Sequence, residues 1–137
     1  MDIDNIFSSL IKEMGYQNNK TVMINKVVMN SKEVEKNNLF VAIRGGNAYA
    51  NEALEKGAFV IYDDNTINLN SNPNSFLVDD SVKFMQKLAH QWRNTLNIKI
   101  IGITGSNGKT TVKDMVFQLL STKYKGKKTE GNYNNHI

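Results

Sequence analysis

The sequence predicts an α/β fold, and three observations carry that prediction. Short apolar runs rich in β-branched residues alternate with segments whose apolar residues recur at helical spacing. The run "IKIIGIT" at 98–104 is a continuous apolar strand of the kind buried on both faces of a parallel sheet. With 40% apolar and 22% charged residues, the 137-residue chain has ordinary globular composition. That length suffices for one good core and is short for two complete domains.

The elements follow in order. Residues 3–14 set Ile3, Ile6, Phe7, Leu10, Ile11 and Met14 on one helical face behind an acidic start. "TVMINKVVM" at 21–29 reads as a strand or a strand pair. "NNLFVAI" at 37–43 is better defined: it is entered from a polar turn and broken by "GGN" at 45–47. "NEALEKGA" at 51–58 reads as a short helix stopped by Gly57. "FVIYDD" and "SFLVDD" read as strands ending in acidic pairs, joined by an Asn- and Ser-rich loop that holds the only proline, Pro73. Ser81, Val82, Met85, Leu88, Ala89, Trp92 and Leu96 form an apolar stripe, so 81–96 is a helix capped by Asp80 or Ser81. Trp92 is assigned to its buried face and His90 to a partly exposed position beside it. After strand 98–104, Val112, Met115, Val116, Leu119 and Leu120 mark an amphipathic helix, and "KKTE" at 127–130 is a candidate next strand. The boundary falls within "NTLNI" at 94–98. Residues 1–97 then form a small α/β domain, and 98–137 the opening of a second one, incomplete by itself.

Composition excludes several classes of function. There is no cysteine, hence no disulfide and no thiolate chemistry, and with only His90 and His136 there is little room for a zinc site. The N-terminus has no apolar stretch for a signal peptide or a membrane span, so a cytoplasmic protein without membrane partners is expected. Residues 1–97 hold 10 Lys and Arg against 11 Asp and Glu, whereas 98–137 hold 7 against 2. The lysines of that basic tail cluster only at "KYKGKK", with no arginines beside them, and no nucleic-acid partner is expected.

"GITGSNGKTT" at 102–111 supplies what a phosphate cradle needs. Glycines let backbone N–H groups turn inward, a lysine neutralises phosphate charge, and a hydroxyl can ligate magnesium. Gly105 and Gly108 flank Ser106 and Asn107, and Lys109, Thr110 and Thr111 follow. The expected ligand is a nucleotide phosphate with Mg2+: amides from Gly105 to Thr110 on the β-phosphate, Lys109 as the catalytic cation on the β and γ oxygens, and Thr110 on the metal. For Thr111, packing and a phosphate contact remain equally open. The common pattern G-x-x-x-x-G-K-[ST] wants its first glycine at 103, which is Ile103; Gly102 comes one place early.

That departure is informative. "TGSNGKTT" resembles the ATP loop of the Mur ligase family, T-G-[ST]-x-G-K-[ST]-[ST], a variant shared with folylpolyglutamate and cyanophycin synthetases. "TEGNYNNHI" at 129–137 is similar to the T-x-G-N-x-N-N-x-I stretch of the family's D-alanyl-D-alanine-adding branch. "MNSKEVEKNNLFVAIRG" at 29–45 resembles the family's D-S-R-x-v-x-x-G-x-L-F-x-A-x-x-G stretch, which lines the site for the UDP end of the substrate. Ser31, Leu39, Phe40, Ala42 and Gly45 match; Asn30, Lys32 and Asn37 stand where the family has aspartate, arginine and glycine. Lysine keeps the charge there and loses the bidentate geometry. The family's D-G-H segment is missing from the shorter "GGNAYANEALEKGA".

The resemblance implies a UDP-substrate-type domain at 1–97 and the first strand, P-loop and helix of an ATPase-type central domain at 98–137, about the first third of such an enzyme. It implies ATP-dependent phosphorylation of the UDP-N-acetylmuramoyl-tripeptide carboxylate, followed by attack of the D-alanyl-D-alanine amine on the acyl phosphate. Asn30, Ser31, Lys32, Gly45 and Gly46 would meet the UDP end, and Asn132, Asn134 and Asn135 would line the cleft near the reacting phosphate. His136 is assigned to the loop without a catalytic role. A chain of this extent is not expected to catalyse ligation alone, and pairing of two copies through the incomplete sheet edge is open. The alternatives are another Mur ligase, a folylpolyglutamate-like synthetase, or a non-catalytic UDP-substrate-binding module.

Overall fold

A computed structural model describes residues 2–17 and 22–131. The chain divides into two compact units, Met1–Asn97 and Ile98–Ile137. In the first, α1 (Ile3–Glu13) is capped by Asp2, whose side chain accepts from the Asn5 N–H at 3.0 Å. Asp4 in its first turn accepts from the Ile24 N–H at 2.8 Å, tying the approach of the first strand to the helix.

Four short strands make one sheet: β1 (Val27–Val28), β2 (Leu39–Val41), β3 (Phe59–Tyr62) and β4 (Ser75–Leu77). They lie in the order β1-β2-β3-β4, each pair of neighbours parallel, with Val27 beside Leu39, Leu39 beside Phe59 and Val60 beside Ser75. Alternation divides the side chains between two cores. Leu39, Val41, Phe59, Ile61 and Phe76 face α1 and α3 (Ser81–Thr95). Phe40, Ala42, Val60 and Tyr62 face α2 (Ala50–Glu55) and the loop carrying Leu69. Burial on both faces explains why these strands read as continuous apolar runs. Of the stretch 21–29, only Val27 and Val28 pair as a strand.

Two turns depend on left-handed backbone. Gly57, at φ +80°, closes α2, and the Ala58 N–H reaches back to the Ala53 carbonyl at 3.1 Å. Asn37 takes φ +63° where the family resemblance has glycine, a conformation asparagine tolerates better than most residues. The Tyr16 hydroxyl donates to the Leu77 carbonyl at 3.0 Å and accepts from the Leu77 N–H at 2.8 Å, so one side chain satisfies backbone groups at the free edge of β4.

Helix α3 is capped by Asp80, which accepts from the Lys83 N–H at 2.9 Å. Its buried face differs from the expected stripe: Ser81, Phe84 and Leu88 are buried, while Ala89 is exposed and Trp92 is 45% exposed. Phe84 rather than Trp92 meets the core, because its ring lies edge-on to Phe7 with centroids 6.1 Å apart. The Lys83 N–H bond holds the Asp80 carboxyl below its ordinary value of 3.8. A depressed carboxylate contributes stability that is complete above its unfolded value and lost as pH falls through the lower folded one. The melting temperature of the first unit is therefore expected to fall on acidification below about pH 4, and less steeply in Asp80→Asn. Thermal melts across pH 2–6 check this, and equal slopes would rule the cap out as a contributor.

In the second unit, α4 (Lys109–Ser121) is the regular element. Among the described residues, neither 98–104 nor 127–130 pairs as a strand, contrary to the sequence expectation. A strand exists through its ladder, and among the described residues of this unit no second strand provides one. Ile98, Ile100 and Ile101 are accordingly more than half exposed, and α4 buries none of its residues despite its apolar face. Among the described residues, no helix is long and apolar enough to cross a membrane.

Candidate functional site

The glycine loop of the second unit leads directly into α4. Gly105 has φ +146° and Gly108 φ +76°, so both sit where a side chain would strain the backbone. An added Cβ at Gly108 would meet nothing within 4 Å, so its need for glycine is conformational rather than steric. Gly108 caps the helix without any side-chain acceptor, and the first closing bond runs from the Val112 N–H to the Gly108 carbonyl at 2.9 Å. The amides of Lys109, Thr110 and Thr111 precede that bond and are the donors a helix N-terminus offers to an anion. The Lys109 ammonium folds back onto the Gly105 carbonyl at 2.5 Å, holding a cation over the mouth of the loop. This set of amides, one ammonium and the Thr110 hydroxyl, with no carboxylate among 102–111, suits phosphate oxygens and a magnesium ion arriving with them.

One turn further along α4, the Lys113 ammonium donates to the Thr129 carbonyl at 2.7 Å and to the Gly131 carbonyl at 3.3 Å. Lys128 reaches Asp114 at 2.6 Å, and that hydrogen bond, with Lys113 adding to it, holds the Asp114 carboxyl below the ordinary range. Residues 128–131 are thus fixed to the helix face that carries Lys109, since i and i+4 share a face. Asn132, Asn134, Asn135 and His136 lie outside the described residues.

In the first unit, an open cleft of ≈ 160 Å³ lies at the carboxyl ends of β1 and β2, where parallel sheets bind ligands. Asn30, Ser31, Gly45 and Gly46 line it together, with Met29, Phe40, Ile43, Arg44 and Tyr49. The Asn30 side chain accepts from the Lys32 N–H at 3.1 Å and donates to Glu33 at 3.4 Å, so it shapes the turn Ser31–Glu33 from within. Glu33 is held low by its hydrogen bond and charge pairing with Lys26. Lys32 does not line the cleft. Behind it, Asn47 and Asp63 form a reciprocal pair: Asn47 Nδ2 donates to Asp63 Oδ1 at 2.7 Å, and the Asp63 N–H donates to Asn47 Oδ1 at 3.2 Å. Asp63 Oδ2 also accepts from the Ser81 N–H at 3.0 Å, locking the loop after β2 to β3 and α3.

Sequence reasoning placed Asn30, Ser31, Gly45 and Gly46 together and missed Arg44, Tyr49 and the Asn47–Asp63 pair. The signal available for Asp63 was its place in an acidic pair at a strand end. For Arg44 it was its place directly before the glycines.

Fold and loop together define a class: a parallel α/β protein carrying a glycine loop of phosphate-binding form at a helix N-terminus. The Mur ligase middle domain matches residues 103–137. The UDP-N-acetylmuramoyl-tripeptide–D-alanyl-D-alanine ligase of Bacillus subtilis (strain 168) is 39% identical over 120 residues, covering 84% of this chain and 26% of the relative. The UDP-N-acetylmuramoyl-L-alanyl-D-glutamate–2,6-diaminopimelate ligase of Parabacteroides distasonis is 34% identical over 77% of this chain and 23% of its own length. A crystal structure of MurF ligase from Thermotoga maritima in complex with ADP superposes with a TM-score of 0.73 at 38% identity, covering 84% of this chain and 27% of that one. The chain belongs to the Mur ligase family. It spans about a quarter of the length of the curated relatives it matches.

Proposed function

We propose that, within a protein of its relatives' length, this chain supplies the UDP-binding domain and the ATP loop of a cytoplasmic ligase. That ligase joins D-alanyl-D-alanine to UDP-N-acetylmuramoyl-tripeptide in peptidoglycan precursor synthesis. The observation that carries the reading is the loop: two left-handed glycines, free amides at the start of α4, and the Lys109 ammonium turned back over Gly105. Bound there, ATP supplies the leaving group a carboxylate lacks, and magnesium neutralises phosphate oxygens. Lys109 pairs with the β and γ oxygens, Thr110 offers its hydroxyl to the metal, and Ser106 and Asn107 complete the loop around the phosphates. Thr111 stands at the third helical amide.

In the first unit, the cleft of ≈ 160 Å³ has room for one portion of a ligand rather than a whole substrate. The UDP end suits it, with Tyr49 offering an aromatic face and Ser31, Gly45 and Gly46 offering backbone and hydroxyl contacts. Lys113 holds Thr129 and Gly131 against α4; Asn132, Asn134 and Asn135 are kept as substrate contacts on the resemblance of "TEGNYNNHI" alone. The second reading, addition of 2,6-diaminopimelate, is favoured by relatives named for that reaction. The D-alanyl-D-alanine branch is preferred on the "TEGNYNNHI" stretch and on relatives named for it.

Calorimetric titration of the chain with UDP is expected to give saturable binding. At the relatives' length, ADP release is expected with UDP-N-acetylmuramoyl-tripeptide and D-alanyl-D-alanine, and none with UDP-N-acetylmuramoyl-L-alanyl-D-glutamate and 2,6-diaminopimelate. The reverse preference would reassign the branch, and no ADP release with either amine would remove the ligase reading.

A further inference from the structure

Arg44 is the one charged residue among those lining the cleft of the first unit. It adopts φ +49°, the left-handed region that arginine rarely occupies, and Gly45 follows at φ +85°. Sequence offers no reason for arginine there, since glycine or asparagine would take that backbone at lower cost. Its side chain is exposed and takes part in none of the salt bridges formed by the described residues. The loop is not free to relax the conformation. The Gly46 N–H is bound to the Ile43 carbonyl at 2.8 Å, and Asn47 is clamped to Asp63. A strained backbone held from behind and a guanidinium with no acidic partner at the cleft are the features of a residue kept for a ligand.

We propose that Arg44 is the anion-binding and specificity-determining residue of this cleft. It pairs with the phosphate groups of a nucleoside diphosphate, the task that the family pattern suggests for position 32. Lys32 does not reach the cleft, and its backbone N–H is spent on the Asn30 cap. The guanidinium restores the bidentate phosphate geometry that lysine lacks. The inference rests on the reading of this cleft as the UDP site.

The test compares binding of uridine, UMP and UDP to the chain and to Arg44→Gln, Arg44→Gly and Lys32→Gln. Both Arg44 variants are expected to weaken UDP about tenfold, the effect of one charge-assisted contact, and to leave uridine within about twofold. Lys32→Gln is expected to shift UDP by less than about twofold. Arg44→Gly is also expected to melt no lower than the parent, because it relieves the left-handed strain. A merely structural arginine would instead lose uridine and UDP alike, or lose melting temperature with binding. UDP affinity unchanged in both Arg44 variants, or a larger loss in Lys32→Gln, overturns the inference and leaves the UDP site standing. If the parent chain binds neither uridine nor UDP, the reading of the cleft falls, and the inference with it.

Discussion

Replacing Lys109 by alanine is expected to lower ATP-dependent ligation about 10²–10³-fold, measured as phosphate release at the length of the relatives. The size follows from where the charge sits. The ammonium is held by the Gly105 carbonyl over the loop, one residue past the left-handed Gly108. A phosphoryl group transferred there would carry its charge on oxygens, and nothing else in 102–111 bears a formal positive charge. Alanine leaves the loop backbone and the helix amides in place, so nucleotide still docks, and the loss falls mainly on turnover. Lys109→Arg keeps the charge but spreads it over a longer, planar group in place of a point charge, and it is expected to rescue little. A variant losing less than about tenfold would place the principal cation elsewhere.

The legibility of the chain in its sequence follows how local each cause is. Helix α1, the capped start of α3 and the stop of α2 at Gly57 were legible, because spacing, an Asp cap and a left-handed glycine are signals within a few residues. The parallel strands were legible as apolar runs, though the order of the sheet was not: order depends on which faces the helices cover. The buried face of α3 was misread, since Trp92 is the larger apolar residue while Phe84 is the one that Phe7 meets. Residues 98–104 were misread as a buried strand: pairing is a property of two segments, and among the described residues of their unit they have no partner. At the candidate sites, glycines and lysine marked 102–111 as a candidate phosphate loop by type and spacing. Arg44 and the Asn47–Asp63 pair were not announced, because a cleft wall and a tertiary hydrogen bond join residues with no fixed spacing.

Phe7→Ala is expected to destabilise the first unit by about 3–5 kcal/mol. Phe7 is fully buried, and its ring meets Phe76 edge-on at 5.5 Å, Phe84 at 6.1 Å and Phe59 at 6.2 Å. Those three come from β4, α3 and β3, so one side chain from α1 is the point at which the helical layer is fixed to the sheet. Removing it forfeits the transfer free energy of the ring and leaves a cavity that three aromatic neighbours, each held by its own element, cannot collapse to fill. Phe7→Leu keeps most of the volume and is expected to cost no more than about 1.5 kcal/mol. Against a typical domain stability of about 5–15 kcal/mol, the alanine variant lies near the limit of folding. Urea denaturation followed by circular dichroism and by Trp92 fluorescence measures both variants. The consequence for binding follows from the same layer: β2 and β3 carry at their carboxyl ends the Arg44 loop and the Asp63 clamp. Loosening the sheet should therefore weaken UDP binding in the alanine variant at temperatures well below its melt, while the leucine variant keeps it. A loss below about 1.5 kcal/mol for alanine would mean that the two helices dock on the sheet independently of this ring.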